Sequence, residues 1–382
     1  MYKEKTIGVV VPAYNEERQI GEVLRTIPAF VDRIYPVDDC STDGTWREVK
    51  RVAEELNSRH SSVEGSGDRV SGEGLLADGS ATAYKRVRPV RHLENRGVGG
   101  AIKTGYRCAY RDGIDVTAVM AGDGQMDPDI LDRILDPVVE GRADYAKGNR
   151  LLQREDHDNM PRFRFVGNRI LTVLTKIASG CWHVGDPQNG YTAISYRALK
   201  TIDIDGMYEF YGYCNDLLVT LSLHGLPVTD VPAPVNYGDE VSHISYRSYV
   251  PRVSGMLLRN FLRRLRAEYV APGVHPLIVL YGLGVVGTLL GAARLLNVTS
   301  DRVAGERLRS SAVTTLLSVV SILAALLWDR NSNTRPDGGT FGRPPARDGS
   351  GVHAGERRTE ARGRRTEARE RRVRSAPDVQ RD

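Results

Sequence analysis

Cysteine is scarce in this chain. There are four in 382 residues (Cys40, Cys108, Cys181, Cys214), and none stands in a C-x-x-C spacing. That excludes a disulfide-stapled scaffold and reads as a reduced, structural set of thiols. No G-x-x-x-x-G-K-[ST] loop occurs, which removes the P-loop NTPases. The glycine-rich segment Gly97-Val98-Gly99-Gly100 is not a dinucleotide fingerprint, because Ile102 stands where the third glycine would be. A targeting stretch is lacking at the N-terminus, so the domain that follows is expected in the cytosol. Excess positive charge is also nearly absent outside the tail. The formal charge is +5, but residues 330–382 carry 14 arginines against 8 acidic residues, leaving the rest close to neutral. The basic balance therefore gives no reason to expect a nucleic-acid partner.

What is present begins with polar turns at the ends of apolar runs. Ile7 to Val11 is a continuous apolar run, fitting a strand buried on both faces, and it ends at Pro12-Ala13-Tyr14-Asn15-Glu16-Glu17. A helical pattern follows through Ile20, Val23, Leu24 and Ile27. Arg33 to Val37 repeats the plan, leading into Asp38-Asp39-Cys40-Ser41-Thr42-Asp43-Gly44-Thr45 and a helix from Trp46 to Leu56. Ala118 to Met120 does so again, ending in Ala121-Gly122-Asp123-Gly124-Gln125-Met126-Asp127-Pro128. Strands that feed helices in this way predict an α/β domain on a mostly parallel sheet, with ligands beyond the carboxyl ends of the strands. The third turn offers hard oxygen donors of the kind a divalent cation on a diphosphate requires. Asp127 reads equally as a further ligand or as the N-cap of a helix opening at Pro128.

Four segments taken in order resemble the motifs of the GT-A fold, family 2 inverting glycosyltransferases: Val10 to Glu17, Val37 to Thr45, Asn95 to Ala101 and Asp123 to Pro128. The nearest branch is the dolichyl-phosphate sugar synthases, or polyprenyl-phosphate glycosyltransferases, and the resemblance covers roughly residues 5–245. It implies that Pro12, Tyr14 and Glu16 cradle the base and ribose of a nucleotide-sugar donor, and that Asp39 holds the base. It implies that Asp123 and Gln125 ligate Mg²⁺ or Mn²⁺, the shell being completed by the donor diphosphate and water. Relatives usually read Asp-x-Asp there, and Ala121 replaces the first carboxylate. The glycines after Asn95 then read as a helix start facing the diphosphate.

The same resemblance places the acceptor in the second half of the domain. Arg150, Arg164 and Arg169 would face an acceptor phosphate, a task suited to the planar guanidinium fork. Asp186, in Gly185-Asp186-Pro187-Gln188-Asn189-Gly190-Tyr191, would lie beside the donor sugar and metal. Gln188 stands where relatives carry a small hydroxyl residue. Asp216 is open to two readings: a general base for a hydroxyl acceptor, or a carboxylate favoured at a helix N-terminus. A phosphate acceptor is already ionised and needs no base.

Beyond residue 245 the composition changes. Val250, Val253, Leu257, Phe261, Leu265 and Tyr269 form one helical stripe opposite Arg252, Arg259, Arg263 and Arg266, predicting an interfacial amphipathic helix over 246–272. Residues 275–296 and 311–328 are long and apolar enough to span a bilayer, with Gly282, Gly284, Gly287 and Gly291 suited to close helix packing. Residues 57–82, rich in Gly and Ser, read as an inserted loop, and 330–382 as a solvated Arg-rich tail. The sequence thus describes a GT-A domain (1–245) with a two-span membrane hairpin. The expected partners are a nucleotide sugar, a polyprenyl phosphate and the lipid bilayer, and a homo-oligomer is left open. Two other readings stand beside it: extension of a lipid-linked glycan at a sugar hydroxyl, and, from Ala121, a nucleotide-sugar-binding membrane protein without turnover.

Overall fold

The computed structural model describes residues 1–64, 85–150, 162–233, 246–296 and 304–333. Most of the 57–82 insertion and the tail beyond 333 lie outside the described residues.

Seven strands form one sheet: β1 (Ile7–Ala13), β2 (Arg33–Asp38), β3 (Val90–Arg91), β4 (Val116–Val119), β5 (Tyr145–Asn149), β6 (Thr192–Ser195) and β7 (Val228–Pro232). Their order is β3-β2-β1-β4-β6-β5-β7. The pairs β2–β3, β1–β2, β1–β4 and β5–β7 are parallel, whereas β6 runs antiparallel to both its neighbours. Every residue of β1 is buried, as its unbroken apolar run requires of a central strand covered on both faces. Strand pleating divides these side chains between two cores. Val9 and Val11 join Val23, Leu24, Val49 and Leu131, from α1 (Ile20–Thr26), α2 (Thr45–Glu64) and α4 (Leu131–Val139). Val10 joins Ile102, Tyr106 and Leu217, from α3 (Val98–Arg111) and α7 (Tyr213–Leu223) on the opposite face, with α6 (Tyr196–Thr201) nearby.

Helix α2 extends to Glu64, so the described start of the insertion is helical. Asn57 then forms two 2.9 Å hydrogen bonds with the backbone of Val87, tying the far side of the insertion to α2.

Helix α5 (Arg162–Ser179) packs with α7 and α8 (Tyr246–Leu265) around Ala178, Val219, Val253, Met256 and Leu257. The α8 stripe through Val253 and Leu257 is therefore covered by protein. Val250 of that stripe is exposed, as are Leu258 and Leu262, among the exposed Arg252, Arg259 and Arg263. A single π-helical turn, Arg266–Val270, leads to α9 (Pro276–Leu296) and then α10 (Ala304–Asn333). Both are long and apolar enough to cross a membrane. They pack through small residues: a Cβ at Gly284 would strike Ile322 and the Ser318 carbonyl, at Gly287 the Ser318 hydroxyl, and at Gly291 that of Thr315. Gly282 meets nothing. Their outer faces expose Leu283 (63%), Leu289 (65%) and Leu316 (64%), a surface water does not favour.

Candidate active site

A cleft of about 1030 Å³ opens at the carboxyl ends of β1, β2 and β4. It brings together Pro12, Tyr14, Glu16, Asp39, Ala121 and Asp123, from three separate turns, with Gly97, Val98 and Ala101 from the start of α3.

The first two turns are laced to one another by side chain-to-backbone bonds. Asn15 N–H donates to Ser41 Oγ (3.0 Å) and Glu16 N–H to Thr45 Oγ1 (2.7 Å), while Thr42 N–H donates to Asn15 Oδ1 (2.9 Å). Asn15 and Cys40 both hold a left-handed backbone (φ 59° and 63°), tolerated where surrounding bonds determine the turn. Asp39 is buried, and its Oδ1 accepts from Arg96 N–H (2.9 Å) and from His92 Nδ1 (2.7 Å). Because that oxygen only accepts, Nδ1 carries the proton, and His92 Nε2 meets Thr104 Oγ1 at 2.9 Å. A chain from α3 through His92 thus aims the Asp39 carboxylate.

The opposite wall was not legible in the sequence motifs. Phe210 and Tyr211 line the cleft and stay half-exposed. Glu209 beside them pairs with Arg96 and with Lys103 Nζ (2.9 Å). Glycines at the start of α3 admit this wall: a Cβ on Gly99 would lie 2.4 Å from the Tyr208 carbonyl oxygen, and Gly100 N–H donates to Glu209 O (2.9 Å). The aromatic run Tyr208, Phe210, Tyr211, Tyr213 was the available signal, in a chain with only 6 Phe.

Asp123 Oδ1 accepts from Gln125 N–H (3.0 Å), closing a tight turn around Gly124 (φ 74°). Asp127 caps the short 3₁₀ turn Pro128–Ile130, accepting from Asp129 N–H at 2.9 Å. Its second reading, as N-cap, describes what this side chain does. Among the described residues no three His, Cys, Asp or Glu side chains converge as a complete metal shell. Asp123 lines the cleft, whereas Gln125 is not among its lining residues; a set made of the Asp123 carboxylate and the Gln125 amide would be hard and incomplete. That fits a Mg²⁺- or Mn²⁺-type ion completing its shell with diphosphate and water, and does not fit zinc held in a closed protein site.

A second polar cluster lies on β5 and the loop before β6. Arg150 forks Asp186, Nε to Oδ2 at 2.7 Å and Nη2 to Oδ1 at 3.0 Å. Lys147, fully buried, donates to the Asp186 carbonyl and to Gly148 O (3.3 Å). Burial pushes the Asp186 carboxyl up, but the Arg150 bonds and the charges of Arg150 and Lys147 outweigh this and hold it below the usual carboxylate range. Both amide atoms of Gln188 are buried and meet no hydrogen-bond partner among the described residues. Arg169 lies exposed on α5; Arg164 is on the same helix, and its side chain lies outside the described residues.

Asp216 sits apart from the cleft lining, buried in the first turn of α7. Its Oδ2 accepts from Tyr208 N–H (3.1 Å) and its Oδ1 from Asn260 Nδ2 (2.8 Å), joining the aromatic wall to α8.

Residues 8–64 and 74–203 match the family model described as glycosyl transferase family 2. The chain is 29% identical over 235 residues to the UDP-N-acetylglucosamine–dolichyl-phosphate N-acetylglucosaminyltransferase of Methanococcus voltae, covering 61% of this chain and 87% of that protein. It is 32% identical over 234 residues to an uncharacterised protein of Methanocaldococcus jannaschii (60% and 82% covered). It is 29% identical over 231 residues to the polyprenol monophosphomannose synthase of Mycolicibacterium smegmatis (59% and 75% covered). The chain belongs to glycosyl transferase family 2, on a GT-A sheet. It is a glycosyltransferase.

Proposed function

We propose that this enzyme moves one sugar from a UDP- or GDP-sugar to the phosphate of a membrane polyprenol such as dolichyl phosphate, with inversion, on the cytosolic leaflet. The observation that carries this reading is one chain holding both a nucleotide-sized cleft with Asp39 and Asp123 and a pair of lipid-length helices whose outer faces are apolar. Tyr14, Glu16 and Asp39 take the nucleoside. Asp123 and Gln125 would hold a divalent cation, which when bound would supply neutralisation of the leaving diphosphate. The acceptor phosphate, already anionic, attacks the anomeric carbon from the face opposite the leaving group, so the configuration inverts. Arg150 and Arg169, with Arg164, orient that phosphate, and most of the rate comes from positioning and charge stabilisation.

The engagement of both Asp216 oxygens with Tyr208 and Asn260 favours a phosphate acceptor over a sugar hydroxyl, for which a free base would be required. The Arg-rich surface of α8 and the exposed Leu258 and Leu262 suit a headgroup layer beside the hairpin.

A transfer assay tests this with full-length protein, Mg²⁺ or Mn²⁺, labelled UDP- and GDP-sugars and a polyprenyl phosphate. The expected result is label entering the organic phase as an acid-labile product, falling by about 10²- to 10³-fold in Asp123→Ala. Donor binding without any lipid product would overturn it.

A further inference from the structure

Arg264 is the bulkiest fully buried side chain among the described residues (0% exposed), although Arg259 and Arg263 beside it on α8, and Arg266 just past the helix end, are all exposed. Burying a guanidinium is costly unless its donors are met and its charge is paired. Here all five N–H groups have acceptors. Nη1 and Nη2 fork the Asp329 carboxylate of α10 (3.0 and 2.7 Å). Nη1 also donates to Glu268 (2.8 Å). Nε and Nη2 donate to the carbonyls of Ala178 (3.1 Å) and Ile177 (2.9 Å), at the C-terminal end of α5. These carbonyls belong to the last turn of a helix, where no intrahelical donor remains and a cation is favoured.

Asp329 is itself fully buried and accepts from Tyr269 Oη (2.6 Å) and Asn333 Nδ2 (3.0 Å). The next residue, Arg330, lies over the Trp182 ring at 5.9 Å. Between α5 and Trp182 the chain turns at Gly180 (φ 73°), where a Cβ would come within 3.1 Å of Arg264 Nη1. Four residues past Trp182 stands Asp186, which forks Arg150. One guanidinium thus joins the end of the apolar hairpin to the helix that carries Arg164 and Arg169, next to the turn at Gly180 that leads into the Asp186 loop.

We propose that Arg264 is a positioning residue: its fork to Asp329 fixes the acceptor-side helix α5 and the Asp186 loop relative to the hairpin, so that the active site meets a phosphate presented at the lipid surface. The functional part of this inference rests on the polyprenyl-phosphate reading above. It separates two substrates that share one chemistry. A phosphate on a long chain held in a bilayer arrives at a fixed depth, whereas a short, water-soluble prenyl phosphate finds the site without that constraint.

The experiment uses full-length protein in lipid nanodiscs, as wild type, Asp329→Asn, Arg264→Lys and Tyr269→Phe. Tyr269→Phe leaves every charge paired and keeps a folded comparison available. Relative to wild type, Asp329→Asn and Arg264→Lys are expected to raise KM for the long-chain acceptor about tenfold or more, leaving KM for the short acceptor and the donor within about twofold. Tyr269→Phe should shift the first value in the same direction by less. Backbone amide exchange should quicken at 177–186 in the two charge-pair variants and stay unchanged at 12–19. Equal losses on both acceptors, or unchanged exchange at 177–186, would overturn the proposal. A wild type active on neither acceptor would defeat the lipid-phosphate reading itself, and the exchange data alone would then decide whether the coupling exists.

Discussion

At the residue scale, identical side-chain types do opposite jobs, and their partners decide which. Asp123 faces the cleft, Asp127 caps a turn, and Asp216 bridges two segments. Asp216→Asn should keep turnover on a phosphate acceptor within about tenfold, while lowering unfolding stability by about 1–3 kcal/mol, the range for a disturbed buried hydrogen-bond network. Paired kinetics and denaturant melts check this; a loss of turnover beyond about a hundredfold at intact stability would mark it as a general base. Asp186 gives a pH prediction. Its folded pKa lies below its unfolded value, so its contribution to stability is complete above the ordinary carboxylate pKa, about 4. It is lost as pH falls below that value toward the folded pKa. Melting curves between neutral pH and about pH 3 should show wild type losing its advantage over Asp186→Asn on acidification.

At the element scale, close approach of backbones shapes the site. The N-terminus of α3 reaches the cleft because Gly97 and Gly99 let the 208–210 segment lie against it, while Gly105 seats the same helix on Val10 of β1, 2.2 Å from where a Cβ would be. Gly99→Ala would meet the backbone of Tyr208 and Glu209, which cannot rotate away as a flexible side chain would. It is expected to cost about 1–3 kcal/mol and to displace the Phe210–Tyr211 wall. Donor KM should therefore rise more than acceptor KM. Thermal midpoints and donor titrations of Gly99→Ala against wild type report both, and an unchanged donor KM would remove the wall from donor binding.

At the scale of the whole molecule, the hairpin depends on small residues at one seam. Gly284, Gly287 and Gly291 face Ser318, Ile322 and Thr315, whereas Gly282 on the same helix faces open space. Gly287→Leu should force α9 and α10 apart and lower the melting temperature of the detergent- or nanodisc-held protein by several degrees, about 1–3 kcal/mol of packing. Gly282→Leu should leave it within a degree or so. Equal effects from the two would contradict the packed seam.

Much of this is legible in the sequence. Continuous apolar runs ending in polar turns determine buried parallel strands, because a strand covered on both faces has no polar side to show, and three such turns on one sheet edge define a ligand site. Uncharged stretches of span length announce the hairpin for the same reason. Only tertiary structure decided the rest. Periodicity describes a stripe but not its cover: Val253 and Leu257 meet α5 and α7, Leu265 and Tyr269 meet the hairpin, and Val250 stays exposed. It could not single out Arg264 among the arginines of α8, because burial of a charge depends on partners 65 residues or more away in Asp329 and α5. Nor could it pair Arg150 with Asp186, or set Glu209, Phe210 and Tyr211 against the start of α3. These contacts are long-range and directional, and a hydrogen bond or ion pair exists only once the chain has brought its two ends together.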